Sequence, residues 1–289
     1  RMHGGDPAED LIEVAPREGE HLIREEDWLA AIAQAGDELA TVMVGGVNYY
    51  TGQWHNLKAI TQAAHAVGAA CGFDLAHAMG NVPLQLHKWN VDFACWCSYK
   101  YVNSGPGAVS GVFVHERHVR DEDGHGTLMP RLEGWWGHDA ASRFNMDPEF
   151  IPMPTAEAWQ LSNAPVLNMA VHKVALDLFE EAGMGALRER SLRLTAYLEQ
   201  VVHCVAQRTG TDLEILTPND PAQRGCQLSI VAHGHGRSLF DHLMAQGVVV
   251  DWREPAVIRM APVPLYNSFE DIARFGKVLE DGILAHGQG

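Results

Sequence analysis

Apolar residues recur at helical spacing through EEDWLAAIAQAG, Glu25 to Gly36, and glycine stands where the pattern stops; this predicts an amphipathic helix. ELATVMVGGV, Glu38 to Val47, is a continuous apolar run and predicts a buried strand. From Trp54 to Val67 the spacing turns helical again, through Leu57, Ile60, Ala64 and Val67. AACGFDLAHA predicts a short strand with Asp74 at its end, and Leu84 to Trp89 a short helix. Phe93 to Ser98 and Val109 to His115 read as two more strands. Strand, helix and strand in alternation predict an α/β domain with a largely parallel sheet. Between Asp121 and Asn163 periodicity fades and proline, glycine, tryptophan and histidine are frequent, which predicts a long functional loop region. Val166 to about Gln207 is helical with a break near Gly183 to Gly185. CQLSIVA, SLFDHLMAQG, VVVDWR, VIRMAP and SFEDIARFGKVLEDGIL then predict a small α+β domain.

The composition narrows the partners. Acids outnumber bases by 37 to 21 in 289 residues, a net charge of −16, and no cluster of lysine or arginine appears. Nucleic acid is thereby disfavoured. No apolar run reaches the roughly 18 residues of a membrane helix. The cysteines are Cys71, Cys95, Cys97, Cys204 and Cys226, an odd number without zinc-site spacing, which fits a reduced, cytoplasmic compartment. His233 and His235 in HGHG make either a turn or part of a zinc site. The opening stretch, RMHGGDPAEDLIEVAPREGE, is neither a signal peptide nor a domain start, so the chain is expected to be one part of a longer protein.

The chemistry gathers around CWCSYKYVNSGPGAVSGVFV. It puts Lys100 between an apolar strand and a glycine-rich loop. Burying an ammonium is costly, and a lysine that gives up its proton becomes an amine nucleophile. Asp74 ends a strand too, and in α/β sheets ligands bind at the carboxyl ends of strands. An acid and an amine at one such edge suit pyridoxal phosphate. The acid pairs the pyridinium nitrogen, and the amine binds the aldehyde. His77 either packs against that cofactor or is a satisfied loop histidine.

GFDLAHAMGNVPLQLHKWNVDFACWCSYKYVNSGPG resembles kynureninase, a fold-type I pyridoxal phosphate family of the aspartate aminotransferase superfamily. VNYYTGQWHNLKAIT, GWWGH, WQLSNAPVL, RGCQLSI and IRMAPVPLYNSF follow in the family's order, so the resemblance covers essentially all of the chain. It implies residues 1–165 as the C-terminal part of the large cofactor-binding domain, incomplete at its N-terminus, and 166–289 as the small domain. It implies that Lys100 binds the cofactor and moves protons, that Asp74 holds the pyridine nitrogen, and that Tyr99 bonds the phosphate and assists proton transfer. Trp135 and Asn163 match positions near the phosphate, across a dimer interface. Trp136 and Ser162 match positions by the substrate's aryl ring, and Arg259 the clamp on its α-carboxylate. Tyr50 either approaches the site or is a core tyrosine. The implied reaction is hydrolysis of L-kynurenine or 3-hydroxykynurenine to anthranilate or 3-hydroxyanthranilate and L-alanine, in tryptophan catabolism and NAD biosynthesis. A homodimer is implied, with a preceding N-terminal segment supplied in the same protein or as a separate chain. Two other classes remain open at this point: another pyridoxal phosphate enzyme such as a class V aminotransferase or a cysteine desulfurase, the desulfurase disfavoured because Cys95 and Cys97 are expected in a buried strand and Cys204 and Cys226 in the small domain, and an inactive fragment that needs its N-terminal partner.

Overall fold

The computed structural model describes residues 4–286. In chain order the elements are α1 (Pro7–Asp10), α2 (Glu25–Ala35), β1 (Thr41–Gly45), α3 (Leu57–Ala66), β2 (Ala70–Asp74), β3 (Phe93–Cys97), β4 (Ser110–Val114), α4 (Val166–Ala182), α5 (Met184–Thr209), β5 (Leu213–Ile215), β6 (Leu228–Ala232), α6 (Gly236–Ala245), β7 (Asp251–Arg253), β8 (Val257–Met260) and α7 (Phe269–His286). One compact unit takes Met43–Val47 and Ala70–Glu189, and the other takes the remaining described residues.

The first unit is built on a sheet of order β1-β2-β3-β4. β2 and β3 run parallel, so both end at the same edge. β4 closes the other side antiparallel to β3, because the connection from Cys97 to Ser110 carries no helix for the crossover that a parallel partner needs. β1 is shorter and less buried than its apolar run suggested. Only Val42 and Val44 are buried and Met43 is 51% exposed, the period-two alternation of a strand covered on one face. Leu84 to Trp89 forms turns instead of the expected helix. Pro83 in front and Asn90 behind, at φ 63°, leave too few residues to propagate one. As expected, α4 and α5 are separated at Gly183, whose φ of 75° ends α4.

The second unit holds an antiparallel sheet of order β5-β6-β8-β7. Helices cover it through Leu194, Leu198, Val202 and Val205 of α5, Leu239 and Leu243 of α6, and Ile272, Phe275, Leu279 and Ile283 of α7. Each set repeats at three or four residues, the stripe that lets a helix bury one side. β5 is only three residues long and has no signal of its own in the sequence.

In this unit His55 is buried just before α3, edge-on to Trp28 at 5.6 Å between ring centres. Burial pushes its pKa down to about 4. An unfolded histidine titrates near 6.5, so below that pH the unfolded chain binds a proton that the folded chain refuses. Stability is therefore full above about pH 6.5 and falls towards pH 4, by about 3 kcal/mol in all. Urea unfolding at pH 7 and pH 4.5 should show this loss, and His55→Gln should remove most of it. Equal pH dependence in the variant would show that His55 is not the group responsible.

Candidate active site around Lys100

Asp74 is the last residue of β2 and stands in register with Cys95 of β3. Its Oδ1 accepts from the Ala76 N–H at 2.8 Å, which turns the chain immediately after the strand. That turn carries His77, whose Nε2 lies 3.1 Å from Lys100 Nζ. Lys100 sits in the bend beyond β3 and is half-buried, whereas the sequence pattern suggested a buried lysine at the strand end. Contact between the two turns rests on Gly80, at φ 78°. A Cβ there would lie 2.8 Å from the Tyr101 carbonyl oxygen, so only glycine lets the backbone after β2 close on the backbone after Lys100.

Asp74 is exposed and its carboxylate charge reaches its neighbours. Burial first, and then Asp74, push the Cys95 thiol up. Tyr99 is 55% exposed, with its ring centre 5.9 Å from Lys100 Nζ. Its phenol is raised, chiefly by the Cys97 thiol bonded to it and more weakly by Asp74. A phenol held above its ordinary value near 10 stays protonated at neutral pH, so Tyr99 is an O–H donor there. Cys95 is exposed and Cys97 half-buried, not enclosed as expected. Cys95 is nonetheless fixed in a strand with a thiol less acidic than usual, a poor basis for a mobile sulfur nucleophile.

The loop region brings GWWGH against WQLSN. A Cβ at Gly134 would lie 2.1 Å from Leu161 Cα, and one at Gly137 would lie 2.6 Å from the Ala158 carbonyl oxygen. Trp135 and Trp136 therefore stand on a loop pressed backbone-to-backbone against the segment that runs into Ser162 and Asn163, both exposed. Trp135 is 46% exposed and meets Trp136 edge-on at 5.3 Å. The Arg143 guanidinium lies 4.4 Å from the Trp136 ring centre and donates to the Trp136 and His138 carbonyls at 2.7 and 2.8 Å.

Arg259 and Tyr50 belong to the other unit. Arg259 on β8 stands in register with Asp251 of β7, pairs with its carboxylate and donates to the Tyr49 carbonyl. Tyr50 is half-buried, and its carbonyl accepts from Ser229 Oγ at 2.6 Å. Burial, with Tyr49 nearby, raises its phenol. HGHG forms the turn into α6, with His233 Nε2 2.8 Å from Glu214. Sequence reasoning missed Gly80, and also Ser104 and His172, whose side chains meet at 2.7 Å from positions 68 apart. Nothing in local periodicity could have joined that pair.

An amine and a carboxylate at one open sheet edge, with a phenol donor beside them, match the aldehyde, pyridinium nitrogen and phosphate of pyridoxal phosphate. The donor set fits that cofactor. Among the described residues no group of three or more His, Cys, Asp or Glu is placed to hold a metal ion, and no helix is long and apolar enough to cross a membrane.

Two family models match, Aminotransferase class-V over residues 11–135 and Kynureninase C-terminal domain over residues 187–279. The kynureninase of Flavobacterium johnsoniae is 54% identical over 283 residues, covering 98% of this chain and 65% of that protein. That of Flavobacterium psychrophilum is also 54% identical, with the same coverage. The apo structure of a cysteine desulfurase from Thermococcus onnurineus NA1 superposes with a TM-score of 0.70 at 16% identity, covering 93% of this chain and 64% of that one. At that identity it shows the fold alone, an aminotransferase-like α/β fold of type I. The chain spans about two thirds of the length of the curated relatives it matches, and with more than half its residues identical to theirs it belongs to the kynureninase family.

Proposed function

We propose that this chain supplies the lysine-bearing part of a pyridoxal phosphate-dependent kynureninase, a hydrolase of carbon–carbon bonds in ketones. The observation that carries the reading is Lys100 Nζ beside His77, in the turn next to Asp74, inside a chain with kynureninase relatives. When bound, the cofactor offers an aldehyde to amines and a ring that takes up the electrons of a broken bond.

This chain's residues do the rest. The Asp74 carboxylate holds the pyridine N–H, and His77 packs beside the lysine. Tyr99 donates its phenol O–H to the phosphate, and Trp135 and Asn163 add to that end. Lys100 Nζ takes the proton from the substrate Cα and returns it, as general base and acid. Tyr99, being protonated, serves as donor before base. Arg259 grips the α-carboxylate in place of Asp251, and Trp136, Ser162 and Tyr50 surround the substrate. Water adds to the side-chain ketone, the Cβ–Cγ bond breaks, and anthranilate and L-alanine leave; with 3-hydroxykynurenine the aryl product is 3-hydroxyanthranilate. In this reading the protein acts in tryptophan catabolism and NAD biosynthesis, in the cytoplasm.

A homodimer, and an N-terminal segment of the same protein, complete the assembly in this reading. Support comes from α4, where Val166 and Leu167 are 76% and 82% exposed and Ala175 is the only buried residue. Apolar surface of that kind is normally covered.

The test is the visible absorbance of the cofactor-loaded protein before and after borohydride, with peptide mapping, followed by turnover of kynurenine and 3-hydroxykynurenine. An adduct on Lys100 is expected. An adduct on another lysine would overturn the assignment, and an adduct without cleavage of either substrate would overturn the reaction.

A further inference from the structure

Helix α4 contributes little to its unit except along one narrow stripe. Asn168, His172, Ala175 and Phe179 fall at spacings of four, three and four, one face of a helix. His172 and Phe179 are half-buried and Ala175 is buried, while most of the remaining helix is exposed. Two of these residues reach the glycine-rich loop after Lys100. Asn168 Nδ2 donates to the Gly107 carbonyl at 2.6 Å, and His172 Nδ1 lies 2.7 Å from Ser104 Oγ. Ser104 is 4% exposed, so its hydroxyl depends on a protein partner. The Ser104 N–H donates to the Ser98 carbonyl at 3.0 Å, and the Asn103 N–H to the Lys100 carbonyl at 3.0 Å. Ser98 to Ser104 is therefore a closed turn with Lys100 inside it, and Ser104 is its closing residue.

We infer that Ser104 and His172 are positioning residues for Lys100. With Nδ1 unprotonated, the Ser104 hydroxyl donates to His172, and this bond ties the closing residue of the lysine turn to α4. Asn168 holds the same loop one turn earlier on the helix. A lysine that binds an aldehyde and then carries a proton needs its turn held in one geometry, since small misplacements of a reacting group lose much of its effect. The pair sets that geometry from a helix that carries none of the chemistry. The inference rests on the proposed role of Lys100 in one respect, its consequence for cofactor binding. The restraint on the loop stands apart from it.

Three variants test it: Ser104→Ala, His172→Phe, and His172→Asn, whose side-chain oxygen replaces Nδ1 as acceptor. Hydrogen exchange at the Asn103, Ser104 and Ala108 amides reads the loop, and borohydride-trapped occupancy of Lys100 against pyridoxal phosphate concentration reads the site. Ser104→Ala and His172→Phe should exchange faster at these amides and bind cofactor about fivefold more weakly, as loss of one hydrogen bond implies. His172→Asn should restore both. Wild-type exchange and affinity in the first two, or no rescue by asparagine, would overturn the inference. If His172→Phe does not fold, Ser104→Ala against wild type decides. If the wild-type protein traps no adduct on Lys100, the functional reading fails, and amide exchange still decides the restraint.

Discussion

Lys100→Ala should lose kynurenine cleavage by about 10³-fold or more, because in the proposed mechanism one side chain serves both as the cofactor's amine partner and as the proton carrier at the substrate Cα. Lys100→Arg should be as damaged as Lys100→Ala, since a guanidinium keeps the charge but neither adds to an aldehyde nor gives up a proton near neutral pH. The fold should survive both changes. Lys100 is half-buried, and the side-chain hydrogen bond it makes is to His77, itself on a turn closed by its own backbone hydrogen bonds. The measurement is kcat together with borohydride trapping on the loaded protein. Near-normal kcat in Lys100→Ala would end the assignment, and so would an adduct in Lys100→Arg that maps to the same peptide as in wild type.

The second large effect concerns stability, and it centres on Arg224. This guanidinium is 1% exposed. It donates to the Glu199 carboxylate at 2.5 Å and to the Pro218 carbonyl at 3.0 Å. Next to it, the Trp54 N–H donates to the Gln223 carbonyl at 2.8 Å, and Gln53 bridges Arg224 through the backbone. Arg224→Met keeps much of the volume but leaves Glu199, mostly buried, without its counter-charge. Removing one partner of such a pair costs about 3–5 kcal/mol, and the partial exposure of Glu199 favours the lower end. The urea midpoint should fall with the slope unchanged. Arg224→Met with Glu199→Met together should recover part of the loss, because two apolar side chains of similar volume leave no orphan charge. A single variant as stable as wild type would mean that Glu199 finds water or another partner. Because only Thr51 and Gly52 separate Tyr50 from Gln53 and Trp54, the same variant should disturb the segment that presents Tyr50.

Helices were legible in the sequence wherever one face had to be buried over three or more turns, as in α5 and α7, since periodicity is then enforced by packing. β2 and β3 were legible as short apolar runs ending in a polar residue. The direction of β4 was not, because pairing direction depends on what connects two strands, and the apolar pattern is the same either way. The run around β1 suggested burial on both faces, but apolar residues there also occupy an exposed face, Met43 among them. The sequence put Asp74 and Lys100 at strand ends; Asp74 does end β2, but Lys100 lies in the bend beyond β3, since the strand stops at Cys97. The His77–Lys100 contact was not legible, because it depends on Gly80 letting two turns touch. The link from Ser104 to His172 joins a loop to a helix far along the chain, and long-range pairs leave no trace in local spacing.

The glycines flanking Trp135 and Trp136 separate two kinds of information. The position of the loop is written in the backbone, at Gly134 and Gly137, while what it offers a ligand is written in the two side chains between them. Either tryptophan can therefore be exchanged, and what the loop offers altered, without a change in the backbone contacts that hold the loop. A change at either glycine would move the whole platform at once. What the loop presents can change by single steps, while the backbone beneath it resists change.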